Sequence, residues 1–154
     1  MIRFIPAAES GAALHALLTS YYREGEDADT PQEELDGFIS YLQELLDKRI
    51  LWGDVVFDGD TAMGFVLFAV DGDSYPFSEC PGMGTIAEIF VNSAYRQQGL
   101  GRLLVRCAED ALRAFVTQMY VCAHASAQSF WQRCGYRPNG AFASNNLPIC
   151  IKSI

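Results

Sequence analysis

The stretch Ile89-Phe-Val-Asn-Ser-Ala-Tyr-Arg-Gln-Gln-Gly-Leu-Gly-Arg-Leu-Leu104 decides how this chain folds. An apolar strand runs into a polar turn, then Gly99-x-Gly101, then an amphipathic helix expected over Leu100 to Phe115. Leu103, Leu104, Cys107, Ala111 and Leu112 are its expected inward face. At a helix N-terminus the first backbone N–H groups lack an intrahelical partner, and the dipole end is positive. Glycines let a phosphate approach those donors with no side chain between. Arg96 and Arg102 flank the turn and can add charge-assisted bonds. A pyrophosphate is the natural ligand of such a turn, although the glycine pair also suits a plain strand-to-helix turn.

Other phosphate motifs fit poorly. A P-loop needs Gly-Lys-Ser/Thr after four spacer residues, and this chain has none. The dinucleotide fingerprint wants a third small residue where Leu104 stands, and belongs in a first β-α unit near the N-terminus. Here the glycines follow a hairpin two-thirds of the way along.

Working outward, Arg3–Ile5 reads as a strand, and Leu14, Leu17, Leu18 and Tyr21 recur at helical spacing. Thr30-Pro-Gln-Glu33 has the form of a helix start, with Thr30 as cap, Pro31 in the first turn and Glu33 completing a capping box. Apolar strands at Ile50–Phe57 and Ala62–Val70 flank Asp58-Gly59-Asp60, a hairpin signal. After a loop from Asp71 to Gly84 come the strand Thr85–Val91, the glycine turn and its helix, a strand at Met119–Cys122 and a helix at Ala125–Arg133. The tail Tyr136–Ile151 reads as one or two strands broken by Pro138, Gly140 and Asn145-Asn146. The order β-α-α-β-β-β-α-β-α-β(β) predicts an α/β (α+β) fold: one mixed sheet with helices on both faces. No repeat or linker divides residues 1–154, so a single domain is expected.

Half of the residues are apolar and 19% are charged, which excludes wholesale disorder. Eleven Lys+Arg against nineteen Asp+Glu give a net charge of −8, which argues against nucleic-acid binding. The longest apolar run, Thr61–Val70, is about half a membrane span and reads as a buried strand. With no signal peptide at Met1-Ile-Arg-Phe-Ile-Pro, the cytoplasm is the expected compartment. Five scattered cysteines and two histidines, without C-x-x-C, predict reduced thiols and no metal site.

Val91-x-x-x-Tyr95-Arg96-x-x-Gly99-x-Gly101 resembles the acetyl-CoA signature of the GNAT superfamily of N-acetyltransferases. Ala127-Gln-Ser-Phe-Trp-Gln-Arg-Cys-Gly-Tyr136 resembles the family's later helix-to-strand segment. The two stand at the family's usual separation, and the element order matches its fold. The resemblance implies transfer of acetyl from acetyl-CoA (coenzyme A) to a primary amine within a ternary complex. It implies that the strand before the turn splays from its neighbour, so that Ile89, Phe90 and Val91 offer backbone bonds to pantetheine. The pyrophosphate would be held by Arg96, Gln97, Gln98, Gly99, Leu100, Gly101 and Arg102.

Glu88, the one charge in an apolar strand, matches an acidic position used as general base in some members. It also suits a solvent-facing strand position. Trp131 stands where many members carry a tyrosine that protonates the departing thiolate; an indole can donate a hydrogen bond but is no practical acid. It can still pack on pantetheine, while Tyr136, Tyr120, Cys134 or water could supply the proton. His124 falls where the family often has Asn, a further candidate for proton handling. Nine acids and no Lys or Arg lie between Glu24 and Asp47. With Tyr21, Tyr22 and Glu26 they suggest a rim for a small cationic amine, an aminoglycoside, or a lysine or N-terminal amine. A solvated helix face explains the same charges. The family often dimerises, so a homodimer is compatible with the resemblance. A non-catalytic acyl-CoA-binding or regulatory module of the same fold is the alternative.

Overall fold

The computed structural model describes residues 1–25 and 27–154. Its longest strand is β3 (Thr61–Val70), buried from Met63 to Ala69. That two-sided burial explains the unbroken apolar run. Before it stand β1 (Ile2–Pro6), α1 (Gly11–Glu24), α2 (Gln32–Asp47) and β2 (Trp52–Asp58). After it come β4 (Gly84–Val91), α3 (Leu100–Leu112), β5 (Gln118–Cys122), α4 (Gln128–Arg133), β6 (Arg137–Phe142) and β7 (Pro148–Ser153). Short 3-10 turns at Ala7–Glu9, Ser93–Tyr95 and Ala125–Ala127 interrupt this order. The last of them takes the first turn of the helix expected from Ala125.

The seven strands form one mixed sheet in the order β1-β2-β3-β4-β5-β7-β6. All described neighbours are antiparallel except β4 and β5. At the β2–β3 hairpin Asp58 pairs with Thr61, and Gly59 takes the φ of +58° that such a tight turn demands. Helices α1 and α2 cover one face, where Leu14, Leu18 and Ile39 meet Phe65 and Leu67. On the other, Leu104, Ala108 and Leu112 of α3 meet Val66 and Phe68. Successive β3 residues thus serve opposite cores, and each large apolar side chain buried this way contributes about 1.5–3 kcal/mol.

Two local expectations are corrected. The Thr30 hydroxyl does not cap α2; it donates to Asp27 Oδ1 at 3.1 Å, and Pro31 is the cap residue, its carbonyl accepting from Leu35 N–H at 3.0 Å. The buried stripe of α3 is rotated: Leu104 and Leu112 are buried as expected, but so are Leu100, Val105, Ala108 and Glu109. Cys107 and Leu103 are half-buried, and Ala111 is exposed. Glu109 can be inside because Tyr136 Oη donates to it at 2.8 Å and Lys152 Nζ lies 2.9 Å away. A charge in the stripe had disguised its direction.

Two irregularities prepare the site. Strand β4 pairs with β3 as Leu67 to Glu88 and then Phe68 to Ile86, leaving Ala87 as an extra residue. This bulge breaks the two-residue alternation. Ile86 and Ile89 pack on the α3 side, whereas Ala87 lies with the α1/α2 core and Glu88 reaches Tyr22 of α1. Strand β4 also pairs with β5 only at Gly84–Met119 and Thr85–Tyr120. Beyond those pairs the strands part.

Candidate active site

Where β4 and β5 part, a cleft of about 720 Å³ opens through the sheet. Tyr21, Tyr22 and Glu24 from the end of α1 stand on one side, and Val121, His124 and Trp131 on the other, with Ile86 to Phe90 along the floor. A second cavity of about 380 Å³ lies between α2, the loop before β4 and the β6–β7 turn. The two share Ile86, Ala87, Glu88, Cys122 and Asn145. Glu88 therefore stands at their junction.

The Glu88 carboxylate is half-buried. Desolvation raises its pKa to about 7, with hydrogen bonds from Tyr21 and Tyr22 restraining the rise and the nearby Asp27 charge adding to it. Tyr22 Oη lies 3.3 Å from Glu88 Oε1. Burial and that carboxylate together push the Tyr22 phenol far above its ordinary range, so Tyr22 stays a donor. A carboxylate balanced near neutrality can take a proton from a cationic group and return it to solvent.

At the end of β4, Asn92 Oδ1 accepts from Ala94 N–H at 3.2 Å and starts the turn. Gln97 and Gly99 have φ of +67° and +82°, which swings the chain into α3. The bond from Leu103 N–H to Gly99 O, at 3.2 Å, leaves the N–H groups of Leu100, Gly101 and Arg102 without an acceptor inside the helix. These outward donors suit an anion. Gly101 serves packing as well, since a Cβ there would press on the Phe130 ring. Arg96 is partly committed: its Nε donates to Val91 O at 2.8 Å and its Nη2 to Glu24 Oε1 at 2.9 Å. Gln97, Gln98 and Arg102 are exposed beside the turn. Ile89 and Phe90 pack into opposite cores through their side chains, while the backbone of Ile86–Val91 has no strand partner on the β5 side among the described residues. Core strand and free edge are thus the same residues.

The other candidates separate. His124 is exposed at the cleft wall. Trp131 lines the cleft and packs edge-on to Phe130 and Tyr136, at 5.0 and 5.3 Å between centroids. Tyr136 is not brought to the cleft: it is fully buried and its hydroxyl is bound to Glu109, which corrects its candidacy as a proton donor. Cys134, also buried, lies with it in the α3-side core. Tyr120 borders the smaller cavity, but its hydroxyl donates to Asp71 Oδ2 at 2.7 Å. Burial pushes the Cys122 thiol up to about 11, the wrong direction for a thiolate nucleophile. Glu26 lies outside the described residues. Of the expected acidic rim, Glu24 and Asp27 reach the larger cleft, and Glu24 is paired with Arg96. Asp36 bonds His15 and Glu44 bonds Lys48; no acid of α2 borders either cavity.

Asn145, which borders both cavities, was not among the candidates. Asn145-Asn146 signals a turn in the sequence, but only the pairing of β7 with β5 brings that turn over Glu88. Among the described residues no cluster of His, Cys, Asp and Glu could hold a metal ion, and no helix is long and apolar enough to cross a membrane.

Residues 12–136 match the model of the Acetyltransferase (GNAT) family. No curated protein matches the chain by sequence. Among solved structures, the chain is similar to a GCN5-related N-acetyltransferase from Ralstonia eutropha JMP134, with TM-score 0.74 and 20% identity over 94% of this chain and 97% of that one. It is similar to the PaiA N-acetyltransferase from Thermoplasma acidophilum in complex with coenzyme A, with TM-score 0.74 and 12% identity over 100% and 99%. It is also similar to the aminoglycoside acetyltransferase AAC(6')-Ib in complex with coenzyme A, with TM-score 0.71 and 19% identity over 99% and 94%.

Proposed function

Because the chain belongs to the GNAT acetyltransferase family, we propose that it transfers acetyl from acetyl-CoA to a primary amine by direct attack, with Glu88 as general base. The observation that carries this function is the parting of β4 from β5 beyond Thr85, which leaves Glu88 on the opened stretch of a strand leading to the α3 turn. The free edge of Ile89–Val91 suits the amides of pantetheine. The N–H groups at the head of α3, with Arg102 beside them, suit the pyrophosphate. Trp131 supplies an apolar wall.

The acceptor amine must be neutral when it attacks, since an ammonium has no lone pair. Glu88 takes its proton, directly or through one water. Nitrogen then bonds to the acetyl carbon, the carbon–sulfur bond breaks, and the second amine proton leaves to solvent. A thiol has a pKa of about 8.5, so the thiolate is a competent leaving group that water can protonate. Tyr136 is not needed for that step.

The test is calorimetric titration with acetyl-CoA of the native chain and Gln98→Glu. Position 98 is exposed, so the change sets a negative charge at the turn without disturbing packing. Native binding weakened at least tenfold in the variant supports the site. Equal binding by both removes the turn from cofactor recognition.

A further inference from the structure

The cavity on the far side of Glu88 has a composition that the acidic stretch of the sequence does not foretell. Its outer wall is aromatic: Phe77 lies 6.4 Å from Phe38 and 5.7 Å from Tyr75 between centroids, and Tyr41 stands behind Phe77 at 6.3 Å. Phe38, Tyr41 and Phe77 are 38%, 38% and 40% exposed. A contiguous group of half-open rings at the mouth of a concavity marks an apolar contact surface.

Its charge is limited. Among the described lining residues are Glu79 and Glu88 and no Lys, Arg or His. Glu79 is already engaged, its Oε1 accepting from Ser144 N–H at 3.0 Å and Ser144 Oγ–H at 2.6 Å. The loop carrying Phe77 is pinned as well, since Asp71 Oδ2 accepts from Glu79 N–H and Cys80 N–H at 2.9 and 2.8 Å. The wall is thus built beforehand, and Glu88, which accepts from Tyr22 Oη at 3.3 Å and borders both cavities, is the carboxylate placed to meet an ammonium. The volume of 380 Å³ equals roughly a dozen waters at about 30 Å³ each, the scale of a small one-ring molecule.

We propose that this cavity is the acceptor site and selects a primary monoamine carried on an apolar body of about one aromatic ring, with Phe77 as a specificity-determining residue. The proposal rests on the acetyl-transfer function of the adjoining cleft. A second ammonium, as in a polyamine or aminoglycoside, would enter the aromatic wall, where Glu79, the other described lining carboxylate, is already held by Ser144. An acceptor carboxylate, as in an amino acid, would meet Glu88 and Glu79 with no cation in reach. Aromatic faces do attract cations, so the polycation arm of the experiment is decisive.

The experiment measures coenzyme A release with acetyl-CoA and 2-phenylethylamine, hexylamine, spermidine, kanamycin or phenylalanine, in the native chain and in Phe77→Ala. The expected kcat/KM for 2-phenylethylamine exceeds that for spermidine, kanamycin and phenylalanine at least tenfold. Phe77→Ala raises the 2-phenylethylamine KM about tenfold while leaving the acetyl-CoA KM unchanged. A preference for spermidine or kanamycin, or an unchanged 2-phenylethylamine KM in Phe77→Ala, overturns the proposal. Acetyl-CoA binding with no turnover of any amine also overturns it and leaves the cofactor site standing. Failure to bind acetyl-CoA overturns the earlier function instead. In that case thermal stabilisation by 2-phenylethylamine alone, lost in Phe77→Ala, supports the pocket, and its absence in the native chain sinks it.

Discussion

Gly101 and Phe130 are packed so closely that a Cβ at 101 would stand 3.0 Å from Cε1 and 3.2 Å from Cζ of that ring. The turn at the head of α3 and the helix α4, separate in sequence, are fitted to each other there. Gly101→Ala is therefore expected to destabilise by about 1 kcal/mol, the overpacking cost exceeding the gain in helix propensity. In a Phe130→Ala background the same change should stabilise by a few tenths to about 1 kcal/mol. Chemical denaturation of the four proteins in this cycle checks it, and equal effects in both backgrounds would show that the ring exerts no constraint.

The raised pKa of Glu88 makes its role visible in pH. As a base it works ionised, so kcat/KM should climb through about pH 7 and level off above. Glu88→Gln should lose about 100-fold or more in turnover while still binding acetyl-CoA.

Stability runs the opposite way. Between about 4.5 and about 7 the folded carboxyl holds a proton that the unfolded chain has released, so its contribution declines as pH rises. Glu88→Gln should match the native chain below pH 4.5 and exceed it above pH 7 by on the order of 3 kcal/mol. Melting curves at pH 4 and 8 decide this; a variant less stable at pH 8 would contradict the desolvated carboxylate.

Tyr22→Phe removes a hydrogen bond that favours the ionised form of Glu88. The rising limb of the pH–rate profile should then shift to higher pH, with the plateau rate little changed. A shift to lower pH would mean that Tyr22 chiefly obstructs solvation.

For Tyr136→Phe the expectation is structural. The change leaves Glu109 with Lys152 but without its buried phenol donor, costing about 1–3 kcal/mol. At saturating substrates kcat should stay within twofold of native. A drop beyond tenfold in a still-folded variant would restore Tyr136 as a proton donor.

The element order was legible because β3 is apolar on both faces, the Asp58-Gly59-Asp60 turn announces its hairpin, and Gly99-x-Gly101 marks the start of α3. The geometry of the proposed cofactor side was readable for the same reason: turn, donors and strand edge are consecutive in the chain. The proposed acceptor side was not, since Phe38, Phe77 and Asn145 come from three distant segments that only the folded sheet assembles. For the acids of α2 the solvated-face reading fits, since none borders either cavity; a charge run by itself carries no sign of which way its helix turns. Tyr136 misled; its partner Glu109 stands a whole helix-and-strand away and sits in a stripe where a carboxylate looks out of place.

The extra residue at Ala87 has a further meaning for how this chain tolerates change. Deleting it would let Ile86 and Glu88 follow one another in regular alternation, opposite Phe68 and Leu67 as now, with the carboxylate still on the α1/α2 side. A frame-preserving loss of one codon here would thus spare both the pairing and the face of residue 88. The same loss among the regularly alternating residues from Ile89 to Val91 would turn every later side chain of the strand to the opposite face.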